Sequence, residues 1–138
     1  MLTEFASAQV AIGGVGGVFL LFFAMAIGHA FADYPLQGTF LAIGKNRHLD
    51  SSQLFGGNDA PKDLWIHALS AHSLIHSGFV WAITGSGLLA LVEFILHWIT
   101  DFIRCERWIS YSADQGIHFS CKLIYAVVLV WCGEQVPF

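Results

Sequence analysis

The sequence predicts an all-α integral membrane protein. Its expected form is a four-helix bundle in one domain, residues 1–138, with a short interfacial segment and a polar loop between spans one and two. Three observations carry that prediction. Hydrophobic residues make up 56% of the chain and charged ones only 12%, well below the ~25% charged share of soluble domains. Four apolar segments, roughly 11–33, 64–83, 87–102 and 115–133, approach the ~20 residues that cross a bilayer. Each of these segments carries a polar stripe centred on histidine, at a spacing that only a helix lines up on one face.

Span one is free of Lys, Arg, Asp and Glu from residue 5 to residue 32. The first charge is Glu4 and no basic residue precedes the apolar run, so the start does not read as a cleaved signal peptide. Gly13-x-x-x-Gly17 and Ala24-x-x-x-Gly28 are small-residue patterns that permit close helix approach, either between two copies or within one chain. The span is expected to stop near Asp33-Tyr34-Pro35, because a proline disfavours helix at the residue before it. Leu36 to Lys45 then reads as a short interfacial helix. Asn46 to Lys62, with Gly56-Gly57-Asn58 and Pro61, reads as a surface loop, and Asp59 or Asp63 as the cap of the next helix.

Span two begins after Asp63, with Trp65 and Trp81 near its ends as interface anchors. The turn Thr84-Gly85-Ser86-Gly87 is too short for anything but an antiparallel hairpin with span three. Span four follows a connection that contains Arg104, Glu106 and Arg107. All six Lys and Arg residues belong to loops one and three or to the adjoining end of span four. The positive-inside rule therefore predicts an inner-membrane, multi-pass protein with those loops cytoplasmic and both termini periplasmic.

The stripes are His29, Asp33 and Gln37; His72 and His76; Glu93, His97 and Asp101; and Asp114, His118 and Lys122, each spaced by four. An ionisable group at membrane depth is costly and marks function by default. The predicted topology puts Asp33, Asp101 and Asp114 at the cytoplasmic boundary and His29, His97 and His118 one turn, ~6 Å, deeper. Glu93 and His72 are expected a further turn in, and His76 deepest.

Imidazole with carboxylate is the donor set of a divalent transition metal such as Zn or Mn/Fe. In that reading His29, His72, His97 and His118 are ligands. Asp33, Asp101 and Asp114 are ligands or orient the imidazoles. A metal with an open position activates water for hydrolysis, and Glu93 is then the candidate general base. Three other readings are available: haem held by paired histidines, proton or ion movement along the stripes, and His–Asp pairs as structural staples of a non-catalytic subunit in a larger membrane complex. The expected partners are the lipid bilayer and a homo-oligomer or a larger complex. Nucleic acid is excluded, since the six basic residues never form a run. Cys105, Cys121 and Cys132 form no Cys-x-x-Cys pair and read as small apolar fillers.

The same residues carry a family resemblance. His29-Ala-Phe-Ala-Asp33-Tyr-Pro-Leu-Gln37, then Lys45, His72, His97-Trp-Ile-Thr-Asp101 and Asp114-Gln115-Gly-Ile-His118 resemble the bacterial and phage membrane proteins of the domain of unknown function 3307 family. The resemblance runs from span one to span four. It implies a small multi-span membrane protein with no established activity, and it adds Gln37, Lys45 and Gln115 to the shared polar set. His76 and Glu93 fall outside that set, and the loop 46–63 is longer than the family pattern implies. Membrane-bound metal-dependent hydrolases use His and Asp in a similar style, which is an analogy only.

Overall fold

In the computed structural model, which describes residues 14–132, the polar side chains lie inside and much of the apolar surface lies outside. The described residues form five α-helices and no strand: α1 (Val15–Phe31), α2 (Gly38–Gly44), α3 (Leu64–Thr84), α4 (Gly87–Cys105) and α5 (Tyr111–Cys132). The predicted all-α class is what the structure has. Gly13 and both chain ends, on which the dimer motif and the orientation of the termini partly rest, lie outside the described residues.

The helices begin and end where local chemistry provides for it. Gly85, at φ 74°, closes α3 by donating its N–H to the Trp81 carbonyl at 2.8 Å. A side chain is strained in that left-handed conformation, so glycine is the residue that fits. Ser86 then caps α4, its hydroxyl accepting from the Leu89 N–H at 3.2 Å. Such a cap contributes about 1 kcal/mol. The two-residue turn makes α3 and α4 the predicted antiparallel hairpin, and these two helices share the most extensive packing in the molecule. Asp63 does sit at the start of α3, but its carboxylate meets His67 at 3.2 Å instead of capping the helix.

The end of span one differs from expectation. Pro35 does not stop the helix. One wide π-helical turn, Ala32–Leu36, carries the chain through the proline, because a wider ring relieves the clash and the missing N–H. The chain bends only at Gly38, where φ is +53°. This extra turn brings Gln37 within 2.9 Å of Lys45. On the loop beyond, Arg47 grips Glu106 through two hydrogen bonds, of 2.8 and 3.0 Å, and lies over the rings of Trp65 and Phe102. The guanidinium holds the Glu106 carboxyl below the usual carboxylate range.

α1 packs on α3 and α5, and α4 packs on α3 and α5, so the four long helices enclose one interior. That interior has two halves. Toward the α3–α4 turn it is apolar, built from Leu21, Met25, Val80, Leu89, Ala126 and Leu129 with Tyr125. Toward the loops it is polar. Gly28 marks the closest approach of α1 and α3: a Cβ there meets the Phe79 ring at 3.1 Å. The Ala24-x-x-x-Gly28 face is thus used within the chain. Gly28→Ala is expected to be nearly neutral, since the ~1 kcal/mol gained in helix propensity offsets a small shift of Phe79. Gly28→Leu is expected to cost about 1–3 kcal/mol. Thermal unfolding of both variants in detergent tests the packing, and a Gly28→Leu protein as stable as the parent contradicts it.

Two segments are long and apolar enough to cross a membrane, Val15–Leu36 and Tyr111–Cys132. The sequence expectation was four. α3 and α4 have the length, at 21 and 19 residues. They fall short in apolarity because α3 carries three histidines and α4 carries Glu93, Asp101 and Arg104.

Candidate metal centre

Each long helix delivers one pair of functional side chains to the polar half of the interior, and each pair is spaced by four residues. α1 with its π-turn brings His29 and Asp33, α3 brings His72 and His76, α4 brings His97 and Asp101, and α5 brings Asp114 and His118. The five histidines, with Asp101 and Asp114, are between 0 and 4% exposed. Asp33 is half-buried at the edge. The rings of His76, His97 and His118 stack at 3.7 and 4.0 Å between successive centroids.

The two central carboxylates collect the imidazoles. Asp33 Oδ1 lies 3.1 Å from His76 Nε2 and 3.4 Å from His72 Nε2, and its Oδ2 lies 3.3 Å from His29 Nε2. Asp101 Oδ1 lies 3.3 Å from His118 Nε2 and 3.7 Å from His97 Nε2, and its Oδ2 lies 3.4 Å from His72 Nε2. Gln115 donates to Asp33 at 3.0 Å and to Asp114 at 3.3 Å. Lys45 donates to Asp101 at 2.7 Å. Gln37, Lys45 and Gln115 are therefore joined to the cluster through hydrogen bonds.

Two overlapping sets of donor atoms lie within 4.8 Å of one another: Asp33, His72, His76 and His97, and His97, Asp101 and His118. With metal–ligand bonds of ~2.0–2.2 Å, neighbouring ligands around one ion sit roughly 3.0–3.5 Å apart. The N···O distances above span 3.1 to 3.7 Å. The donor chemistry fits as well. Both ring nitrogens of His72, Nε2 of His97 and Oδ1 of Asp114 are buried and make no hydrogen bond. Leaving such a group unpaired costs about 1–3 kcal/mol each, and a bound cation satisfies lone pairs of this kind. The buried His and Asp groups of this chain can hold a metal ion.

The depths differ from the sequence expectation in one respect. His76 is not the deepest histidine. It touches Asp33 and lies with its Nδ1 3.2 Å from that of His29. α3 packs on both α1 and α2, with Gly44 of α2 approaching the Ala68 side chain, and this packing sets His72 and His76 against Asp33 at the loop end of α1. Glu93 and Lys122, each one turn below a histidine of their own helix, pair with one another beneath the cluster. Glu93 also meets His97 Nδ1 at 3.2 Å. It is buried and does not line the cavity described next. His67 is exposed on the far side of α3 and takes no part.

A cavity of about 340 Å³ opens over the three aspartates. Its wall includes Arg104, which sequence reasoning passed over as a loop charge. Its position, three residues after Asp101 on the same helix, was the available signal.

Compared with protein-family models, with curated proteins and with solved structures, the chain has no match. Its function is therefore read from the geometry.

Proposed function

We propose that this chain is a four-span membrane metalloprotein. A divalent transition ion, Zn or Mn/Fe, is held by Asp33, His72, His76 and His97, with Asp101 and His118 adjoining. The observation that carries the reading is the set of buried, unpartnered ring nitrogens of His72 and His97, facing the carboxylates of Asp33 and Asp101.

The inverted burial supports the membrane setting. Phe19, Phe23, Leu74, Trp81, Leu91, Ile95, Ile124 and Trp131 are exposed on all four long helices while His, Asp, Glu and Lys side chains are inside. In water, an apolar surface of that extent is an aggregation liability; in lipid it is the solvent-facing side. α3 and α4 then span as well, since His72, His76, Glu93, His97 and Asp101 face inward and the exposed His67 lies in the first turn of α3, at the loop end. The basic residues on the loop side support a cytoplasmic placement of the cavity.

The cavity supports a hydrolytic role at the inner leaflet. Asp33 and Asp101, one from each donor set, line it, which supports access of water and substrate to an ion held there, as a catalytic metal site requires. We assign Glu93 as a positioning residue for the His97 ring, because its carboxylate is committed to Lys122 and His97. The staple reading, in which the same pairs only hold a subunit together, requires every buried polar atom to be partnered, and the His72 and His97 nitrogens argue against it.

Metal content of protein purified in detergent without chelator is the test. About one or two equivalents of a transition metal, with no Soret band, is the expected result. Absence of metal sinks the proposal, and a Soret band transfers the site to haem.

A further inference from the structure

The cavity above the cluster contains a cation that meets no carboxylate among the described residues. Lys45 is committed to Asp101 and Gln37, Arg47 to Glu106, and Lys122 to Glu93. Among the described residues Arg104 has no carboxylate partner, and its Nε is buried without a hydrogen bond. Yet Arg104 lines the cavity beside Asp101 and Asp114. A guanidinium offers a planar fork of donors that matches a phosphate or carboxylate edge, and it remains charged at any working pH. Tyr34 and Tyr111 stand at the rim with their hydroxyls 3.2 Å apart, further donors in the same opening.

The charge of the cavity depends on the ion. Three carboxylates, Asp33, Asp101 and Asp114, face two cations, Lys45 and Arg104. By formal charge these five groups alone sum to −1. One divalent ion reverses that sign, since a bound cation is the largest local charge in such a site. A bound divalent ion thus favours an anion in the pocket.

We propose that this cavity binds a phosphoryl group, as found on a phosphate ester, with Arg104 taking two of its oxygens and the metal-loaded cluster facing the others. The inference rests on the metalloprotein reading above and names the substrate class of that site. A lipid headgroup and a soluble phosphate ester share this chemistry.

The test uses the full chain in phosphate-free detergent, loaded with Mn²⁺. Electron paramagnetic resonance counts the bound ion. The ³¹P relaxation rate of inorganic phosphate, and separately of dihexanoyl phosphatidic acid, reports whether phosphorus comes close to it. Enhanced relaxation that saturates with either ligand is the expected result; saturation with the lipid alone identifies a headgroup, and with inorganic phosphate a soluble ester. Arg104→Gln is expected to raise the half-saturating concentration about tenfold or more, the usual consequence of losing a charge-assisted hydrogen bond, with Mn²⁺ stoichiometry unchanged. If that variant loses Mn²⁺, Arg104→Lys serves in its place; it keeps the charge, loses the fork, and is expected to weaken binding several-fold. Bound Mn²⁺ with no enhancement for either ligand, or unchanged binding in the variant that retains Mn²⁺, overturns the inference and leaves the metalloprotein intact. Failure to bind Mn²⁺ overturns both.

Discussion

His97→Ala is expected to abolish stoichiometric metal binding while the protein keeps its helical content. His97 is the one residue common to both donor sets. Its ring is fixed from behind, with Nδ1 3.2 Å from Glu93, which leaves Nε2 facing Asp101. Removing an outer partner of a metal ligand costs ~10–100-fold in affinity, and removing the shared ligand itself is expected to cost more than that. Helicity survives because backbone bonds within each span do not depend on this side chain. Metal analysis and circular dichroism on the same sample decide. Retained metal contradicts the assignment of His97. Loss of helicity, with no metal in the parent either, returns the cluster to a structural role.

Lys122→Met is expected to destabilise the protein by about 3–5 kcal/mol, because it leaves Glu93 a buried carboxylate without its cation, held only by the His97 ring. Both residues are about 1% exposed. Adding Glu93→Gln in the same chain removes the stranded charge and keeps a hydrogen-bonding group against His97, so the double variant is expected to recover more than half of the loss. Unfolding in detergent of the parent, both single variants and the double variant gives the coupling between the two sites. A double variant no better than Lys122→Met shows that the pair is not the source of the cost.

The His-x-x-x-Asp spacings were readable because a helix makes i and i+4 neighbours whatever surrounds it. So the polar stripes, the α3–α4 hairpin and the aspartates around one opening follow from local pattern. His76 was misplaced because its contacts with Asp33 and His29 depend on how α3 packs against α1, which no local pattern states. The passage through Pro35 was missed for a related reason: proline disfavours the preceding helix, but a wide turn can absorb it when tertiary contacts reward the extra length. Arg104 looked like an ordinary juxtamembrane charge. Only the absence of a partner, a property of the folded state, sets it apart from Arg47.

The inverted interior bears on how the chain assembles. In lipid, inserting the spans already satisfies the hydrophobic effect, so greasy surfaces no longer discriminate between helix neighbours. In the proposed bilayer setting the sorting falls to the polar contacts. Asp33 recognises α3 through His76 and α5 through Gln115, and Asp101 recognises α5 through His118. The polar residues of the interior thereby double as an address code for the helices, and the proposed metal pocket is then completed last, once the spans have associated.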